Sequence, residues 1–342
     1  MKKYIKYLIL TLVAAVGIIT YTQYESTSAS SVKNAVSKTK IPSSKSFKPN
    51  YYLNSDENYV DNLIRDNDTF KGTKKAKASV ALDVDKNTFV YDKNGSKNMR
   101  IASVAKLMTL YLVIQKAQNT DNGWNQVVNT SSASLRRMGQ NPAVGGFKFV
   151  KGHNYTVKQL YQAALIQSSN NATIALGEWV AGSNKAFINM MNSQAKAWNL
   201  NATFVSSSGL ENHDLSSYGY WVKGKYRDGN MVSARSVAII ASHVLKEYPR
   251  IVDDSSKVKA SVAGQTVRNV NRMLPGKTYY KKSLYVDGLK TGYTPDAGLC
   301  FVATGQQPGK DRLVTVVLND NDEFSETKSL MKHIYATSEL FR

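Results

Sequence analysis

Cysteine is nearly absent: the 342-residue chain holds one, Cys300, in the run LCFVAT. A single thiol excludes an intramolecular disulfide framework, and its apolar setting reads as a small buried hydrophobe. Histidine is scarce as well. His153, His213, His243 and His333 are scattered, with no HExxH spacing and no cysteine–histidine pattern, so no metal site is expected. Acidic residues are outnumbered, 25 against 45 Lys and Arg, leaving a net charge of +20. Such a charge suits an anionic environment: nucleic acid, anionic lipid or an acidic polymer. The basic residues form no arginine-rich block, and zinc-finger and RNP-type patterns are missing, which argues against nucleic acid.

Long apolar runs are missing except at the N-terminus, where Lys2, Lys3 and Lys6 precede an apolar stretch from Leu8 to Ile19 and small residues end near Ala29. That order matches an export signal, and the run is shorter than the roughly 20 residues of a comfortable membrane span. Residues 1–29 are therefore read as a signal peptide cleaved near Ala29 or as an uncleaved anchor. Residues 30–75, rich in Ser, Lys, Asn, Asp and Thr, read as a flexible basic linker, with a short helical turn in YVDNLIRDNDTF. An exported domain on a basic tether fits an anionic cell wall or membrane surface.

What is present from residue 76 onward is ample apolar content, 42% of the chain, enough for a substantial core. SVALDV (79–84) and TFVYDK (88–93) flank Asp85-Lys86-Asn87 and read as a hairpin. Helices are expected over about 104–116, 157–167, 171–180, 184–199 and 233–248, the last with Ser233 as N-cap. Strands return at 283–291, 298–305 and 312–319, followed by a helix over about 323–340. Strands at both ends and helices between predict an α+β fold: an antiparallel five-stranded sheet flanked by helices, with an inserted, mainly helical lobe. Residues 211–232 read as a polar, Gly-rich and aromatic loop.

ASVAKLMTL (102–110) places Ser103 and Lys106 three residues apart in an apolar run. On a helix they share one face. At a helix N-terminus the amides and dipole favour negative charge on the serine, and apolar burial lowers the lysine pKa. A neutral lysine can then take the serine proton. IQSSNNATIAL (166–176) offers Ser168-Ser169-Asn170 at a helix junction, and VDGLKTGYT (286–294) places Lys290-Thr291-Gly292 at a strand end. S-x-x-K is weak alone, S-x-N can be simple helix capping, and K-T-G can be an ordinary strand terminus. In this order and on these elements the three are specific as a set for penicillin-binding proteins and class A β-lactamases.

The resemblance runs through SVALDVDKNTFVYDKN, RIASVAKLMT, VGGFKFVKGHNYTVKQLYQAALIQSSNNATIALGE and SLYVDGLKTGYTPDAGLCFVATG. The chain resembles the serine D-alanyl-D-alanine carboxypeptidases, the low-molecular-mass penicillin-binding proteins, over residues 76–342. The resemblance implies Ser103 as acylated nucleophile, Lys106 as its base and Ser168 as a relay to the leaving amine. It implies Asn170 on a substrate amide, Lys290 as positive potential, Thr291 on the terminal carboxylate, and Gly292 giving room for the substrate strand. The backbone amides of Ser103 and Tyr293 would form the oxyanion hole. It implies no metal or cofactor, peptidoglycan stem peptides as substrate and β-lactam antibiotics as inhibitors; the N-terminal segment adds the expectation of an exported enzyme at the extracellular face of the cytoplasmic membrane, in the cell wall or secreted.

Two positions depart from the family pattern. Asn171 stands where an acidic residue commonly follows S-x-N, and NDNDEFSE lacks the arginine that several relatives carry after the last strand. The chain also ends soon after this region, without the β-rich domain and amphipathic helix that many relatives add. The remaining Arg and Glu residues read as solvated surface. Two alternatives stay open: a class A β-lactamase, for which no E-x-x-L-N element is present, and an inactive wall-binding protein on the same scaffold.

Overall fold

The computed structural model describes residues 58–64, Phe70, Gly72 and 75–341. Residues 1–29, read as an export segment or anchor, and most of the stretch read as a linker lie outside the described residues. Six strands form the main sheet: β1 (Val60–Asp61), β2 (Ala78–Asp83), β3 (Thr88–Lys93), β4 (Val286–Thr294), β5 (Gly298–Gln306) and β6 (Arg312–Asp320), in the order β1-β3-β2-β6-β5-β4. Five strands are antiparallel neighbours, as expected from the sequence. The sixth, β1, pairs parallel with β3 and makes the sheet mixed. It falls in the stretch read as linker, where a helical turn was expected. Asp61 carries an ion pair with Arg235, at 2.7 Å, that helps hold this two-residue strand on the edge.

β2 is buried along its whole length because both faces of the sheet are covered. Side chains alternate along β5: Val302 joins the core beneath the helical lobe, whereas Phe301 and Ala303 join a second core on the opposite face. At the β2–β3 turn, Asn87 takes a positive φ and Asp83 Oδ1 accepts the Lys86 amide at 3.0 Å.

The larger helices are α1 (Lys106–Gln118), α2 (Ala133–Gln140), α3 (Val157–Ile166), α4 (Asn170–Ala181), α5 (Asn184–Ala197), α6 (Ala234–Glu247) and α7 (Glu323–Thr337). Their starts follow capping chemistry. Thr156 and Gln159 form a capping box before α3, and Ser169, Ser183 and Ser233 cap α4, α5 and α6. The helix α2 was not foreseen. Its pattern is short, with Leu135 and Met138 as its buried residues. The helix α6 packs on β2 and β6 from the lobe side, and α7 packs on β5 and β6 from the other.

One boundary moves in a way that matters. The K-T-G segment was expected at a strand end, but β4 runs three residues further, to Thr294. Pairing with β5 carries it on, through Gly292↔Cys300, Tyr293↔Leu299 and Thr294↔Gly298. Cys300 is fully buried, and burial pushes its thiol up to about 12, consistent with a packing role. Among the described residues no helix is long and apolar enough to cross a membrane.

Candidate active site

The cleft lies where the lobe meets the free edge of β4, and its volume is about 560 Å³. Ser103, Ser168, Asn170 and Thr291 all line it. A 3-10 turn, Ala102–Ala105, delivers Ser103 to the start of α1. Ala102 ahead of it has φ +45°, a left-handed backbone that a residue with a Cβ adopts at a cost. Gly292 allows the strand to approach this turn. A Cβ at Gly292 would stand 3.0 Å from the Val104 nitrogen and 3.1 Å from the Ser103 nitrogen.

Lys106 is fully buried. Its Nζ lies 2.8 Å from Ser103 Oγ, and it donates to Asn170 Oδ1 and to the Ser208 carbonyl, both at 2.6 Å. Burial, with added repulsion from Lys290, holds its pKa well below the usual lysine range. A neutral amine has two N–H donors and one lone pair. The two carbonyl oxygens take the donors, so the lone pair is left for the serine proton.

Lys290 is 2% exposed, and burial lowers its pKa to about 7. Its Nζ donates to Ser168 Oγ and to the Thr291 carbonyl, both at 2.8 Å. Ser168 occupies the turn between α3 and α4 with φ +63°. The structure thus brings Ser103, Lys106, Ser168, Asn170, Lys290, Thr291 and Gly292 to one place. Tyr293 follows on β4 with its ring 62% exposed at the cleft.

Two details differ from the sequence-based roles. Ser168 bonds Lys290, while Lys106 bonds Ser103, Asn170 and Ser208. Both ends of the Asn170 amide are engaged, Oδ1 by Lys106 and Nδ2 by the Val144 carbonyl. Asn170 therefore orients Lys106.

Asn171 is buried and saturated. Its Oδ1 accepts from Phe147 N at 2.9 Å and Ser169 Oγ at 2.8 Å; its Nδ2 donates to the Phe147 and Leu135 carbonyls at 2.7 and 3.1 Å. Two of these partners need a donor, which a carboxylate lacks. The amide at the position that departs from the family pattern is thus matched by its surroundings.

Sequence reasoning missed the strap Ser206–Gly209 behind the nucleophile. Ser208 supplies a carbonyl to Lys106, and Ser207 supplies one to Thr109 Oγ1 at 2.7 Å. Asn230 ties the strap down through Val205 N, Ser206 N and the Ser206 carbonyl. Gly209, at φ +89°, packs where a methyl would overlap the Ala102 carbonyl. The available signal was the run of small residues SSSG between Val205 and Leu210. Glu residues were expected on solvated surface, yet Glu211 is 1% exposed. Its Oε1 accepts from Thr294 Oγ1 at 2.7 Å, joining the strap to the end of β4, and burial raises its pKa.

Comparison with known proteins places this geometry in context. The family model described as D-alanyl-D-alanine carboxypeptidase matches residues 66–322. The chain is 30% identical over 263 residues to the D-alanyl-D-alanine carboxypeptidase DacC of Escherichia coli, covering 75% of this chain and 60% of that protein. It is 28% identical over 254 residues to DacF of Bacillus subtilis, covering 71% and 57%. The match thus spans somewhat under two thirds of these curated relatives. Among solved structures, a peptidoglycan synthesis regulatory factor (PBP3) from Streptococcus pneumoniae aligns with TM-score 0.72 and 34% identity, covering 77% of this chain and 72% of that one. Penicillin-binding protein D2 from Listeria monocytogenes, in its ampicillin-bound form, aligns with TM-score 0.60 and 28% identity, covering 75% and 96%.

Proposed function

Because the chain belongs to the D-alanyl-D-alanine carboxypeptidase family, we propose that it is a serine DD-carboxypeptidase. It removes the terminal D-Ala from peptidoglycan stem pentapeptides through an acyl-enzyme on Ser103. The observation that carries this reading is the Lys106 amine, donating to Asn170 Oδ1 and the Ser208 carbonyl while standing 2.8 Å from Ser103 Oγ.

In the first half-reaction Ser103 Oγ attacks the carbonyl of the penultimate D-Ala and Lys106 takes its proton. The oxyanion is held by the backbone amides of Ser103 and Tyr293, each such donor being worth on the order of 3 kcal/mol. The C–N bond then breaks, and the terminal D-Ala leaves as an amine carrying the proton that Lys106 took from Ser103, which returns Lys106 to its neutral form; Ser168, held by Lys290, lines the cleft beside this path. Lys290, poised on Ser168 and near half-charged at neutral pH, supplies positive potential beside Thr291, where the terminal carboxylate binds. Water then attacks the ester, Lys106 again removing the proton, and Ser103 is restored.

β-Lactams, which present an acyl amide beside a carboxylate, acylate the same serine; the ampicillin-bound Listeria relative supports this. The basic N-terminal region and export segment support action outside the cytoplasmic membrane, on the anionic wall. The test is D-Ala release from a pentapeptide ending in D-Ala-D-Ala, followed by product mass. Loss of one D-Ala with the purified protein and none with Ser103→Ala is expected. No release, together with no penicillin labelling of Ser103, would favour the inactive scaffold, and rapid penicillin turnover would favour a β-lactamase.

A further inference from the structure

The chain carries 45 basic and 25 acidic residues. The charged side chains that line the cleft reverse that balance: they are Asp214 and Glu323. The lysines at its base are buried and committed to Ser103 and Ser168. Away from the lysines at its base, the cleft wall therefore offers negative charge, which favours a cationic group there.

The position of Asp214 says which part of a substrate meets it. β4 ends the sheet, so an extended peptide can add along its free edge. On the reading above, on which this inference rests, the terminal carboxylate sits at Thr291 and the scissile carbonyl at Ser103, against Gly292. The peptide then continues toward Thr294. At about 3.3 Å per residue, the residue before the acylated D-Ala stands opposite Thr294 and Pro295. There the cleft is walled by Leu210 and Asp214. The 2.7 Å bond between Thr294 and Glu211 fastens this wall to the strand.

Asp214 is presented by a fixed segment. It lies in a short helix, Asn212–Ser216, whose first residue donates through Nδ2 to the Lys223 and Lys225 carbonyls at 2.7 and 2.8 Å. Asp228 accepts from Lys225 N at 2.7 Å and closes the same loop. The Asp214 side chain is 29% exposed and lines the cleft, with His213 Nε2 3.4 Å from its Oδ1.

We propose that Asp214 is a specificity-determining residue for the third position of the stem peptide. It selects a side chain ending in a free primary amine, as in lysine, over a neutral or carboxylate-bearing one. Glu323, at the start of α7, adds negative potential to the same cleft.

The experiment compares kcat/KM of the full-length protein on pentapeptides with L-lysine, Nε-acetyl-L-lysine or diaminopimelate at position three. A charge-assisted hydrogen bond in a cleft predicts about a tenfold preference for lysine over its acetylated form. Asp214→Asn should collapse that ratio to about twofold or less, and Asp214→Glu should retain it. Equal rates on lysine and acetyl-lysine, a preference for diaminopimelate, or a lysine preference that survives in Asp214→Asn would overturn the inference. Those outcomes leave D-Ala release itself intact. No release from any of the peptides, with Ser103 unlabelled by penicillin, overturns the parent reading and this inference with it.

Discussion

At the helical side of the cleft, Lys106 is fully buried and meets oxygens from three separate segments: Ser103, Asn170 and Ser208. At the strand side, Lys290 is nearly as buried but meets one hydroxyl, on Ser168, and the carbonyl of its own neighbour Thr291. Burial depresses both amines, and the charge of Lys290 drives Lys106 down further. The same residue type at similar depth thus takes two roles. On the proposed mechanism Lys106 is the neutral base, and Lys290, near 7, can still carry charge where the substrate carboxylate would bind. Environments that push two titratable groups apart assign the acid and base roles.

The largest effect should come from removing the helical side. Lys106→Ala deletes the base and leaves two buried acceptors without their donor. Acylation by penicillin is expected to slow on the order of 10³-fold, measured by labelling kinetics. A slowing below tenfold would mean that Ser103 is activated from the strand side instead.

The second concerns the frame beneath that lysine. Asn171→Asp sets a carboxylate against the Leu135 and Phe147 carbonyls, which now receive N–H donors. The cost should be about 3 kcal/mol, read as a lower urea midpoint, with the turn that carries Asn170 loosened. A neutral result would show that the frame rearranges and does not hold the base.

The smallest effect separates the two lysines by pH. Lys106 must be neutral and Lys290 charged. The charged fraction of Lys290 falls as pH rises through about 7, so acylation should fall about tenfold per unit above that point. On the acid side it should fall as Lys106 takes up its proton, at a pKa well below the ordinary lysine value. Lys290→Arg, which keeps its charge, should abolish the alkaline fall. An alkaline limb that persists in that variant would assign it to another group.

Much of this site was legible locally. S-x-x-K falls on a helical start, S-x-N on a capped helix junction and K-T-G on a strand, and each assignment rests on short-range chemistry. The missing pieces depend on distant neighbours. The end of β4 is fixed by pairing with β5, not by its own propensity. The strap Ser206–Gly209 looks like a loop in sequence, and only its packing against Ala102 and Lys106 gives it a purpose. Asn170 reads as a substrate contact until the fold places it on the base. Glu211 reads as surface until the strap and β4 close over it. The edge strand β1 escaped notice because two residues carry no periodicity.

The sequence by itself determined the chemistry on offer: a serine and a lysine on one helical face, capped helices, a strand with K-T-G, and a basic chain. The reason is that helix caps, turn residues and apolar periodicity act within a few residues. Tertiary structure alone decided how deeply each lysine is buried, which amide holds Lys106 and which charges line the cleft. Burial, proton affinity and electrostatic potential are set by groups that the chain brings together from more than 100 positions apart, as Lys106 and Ser208 are.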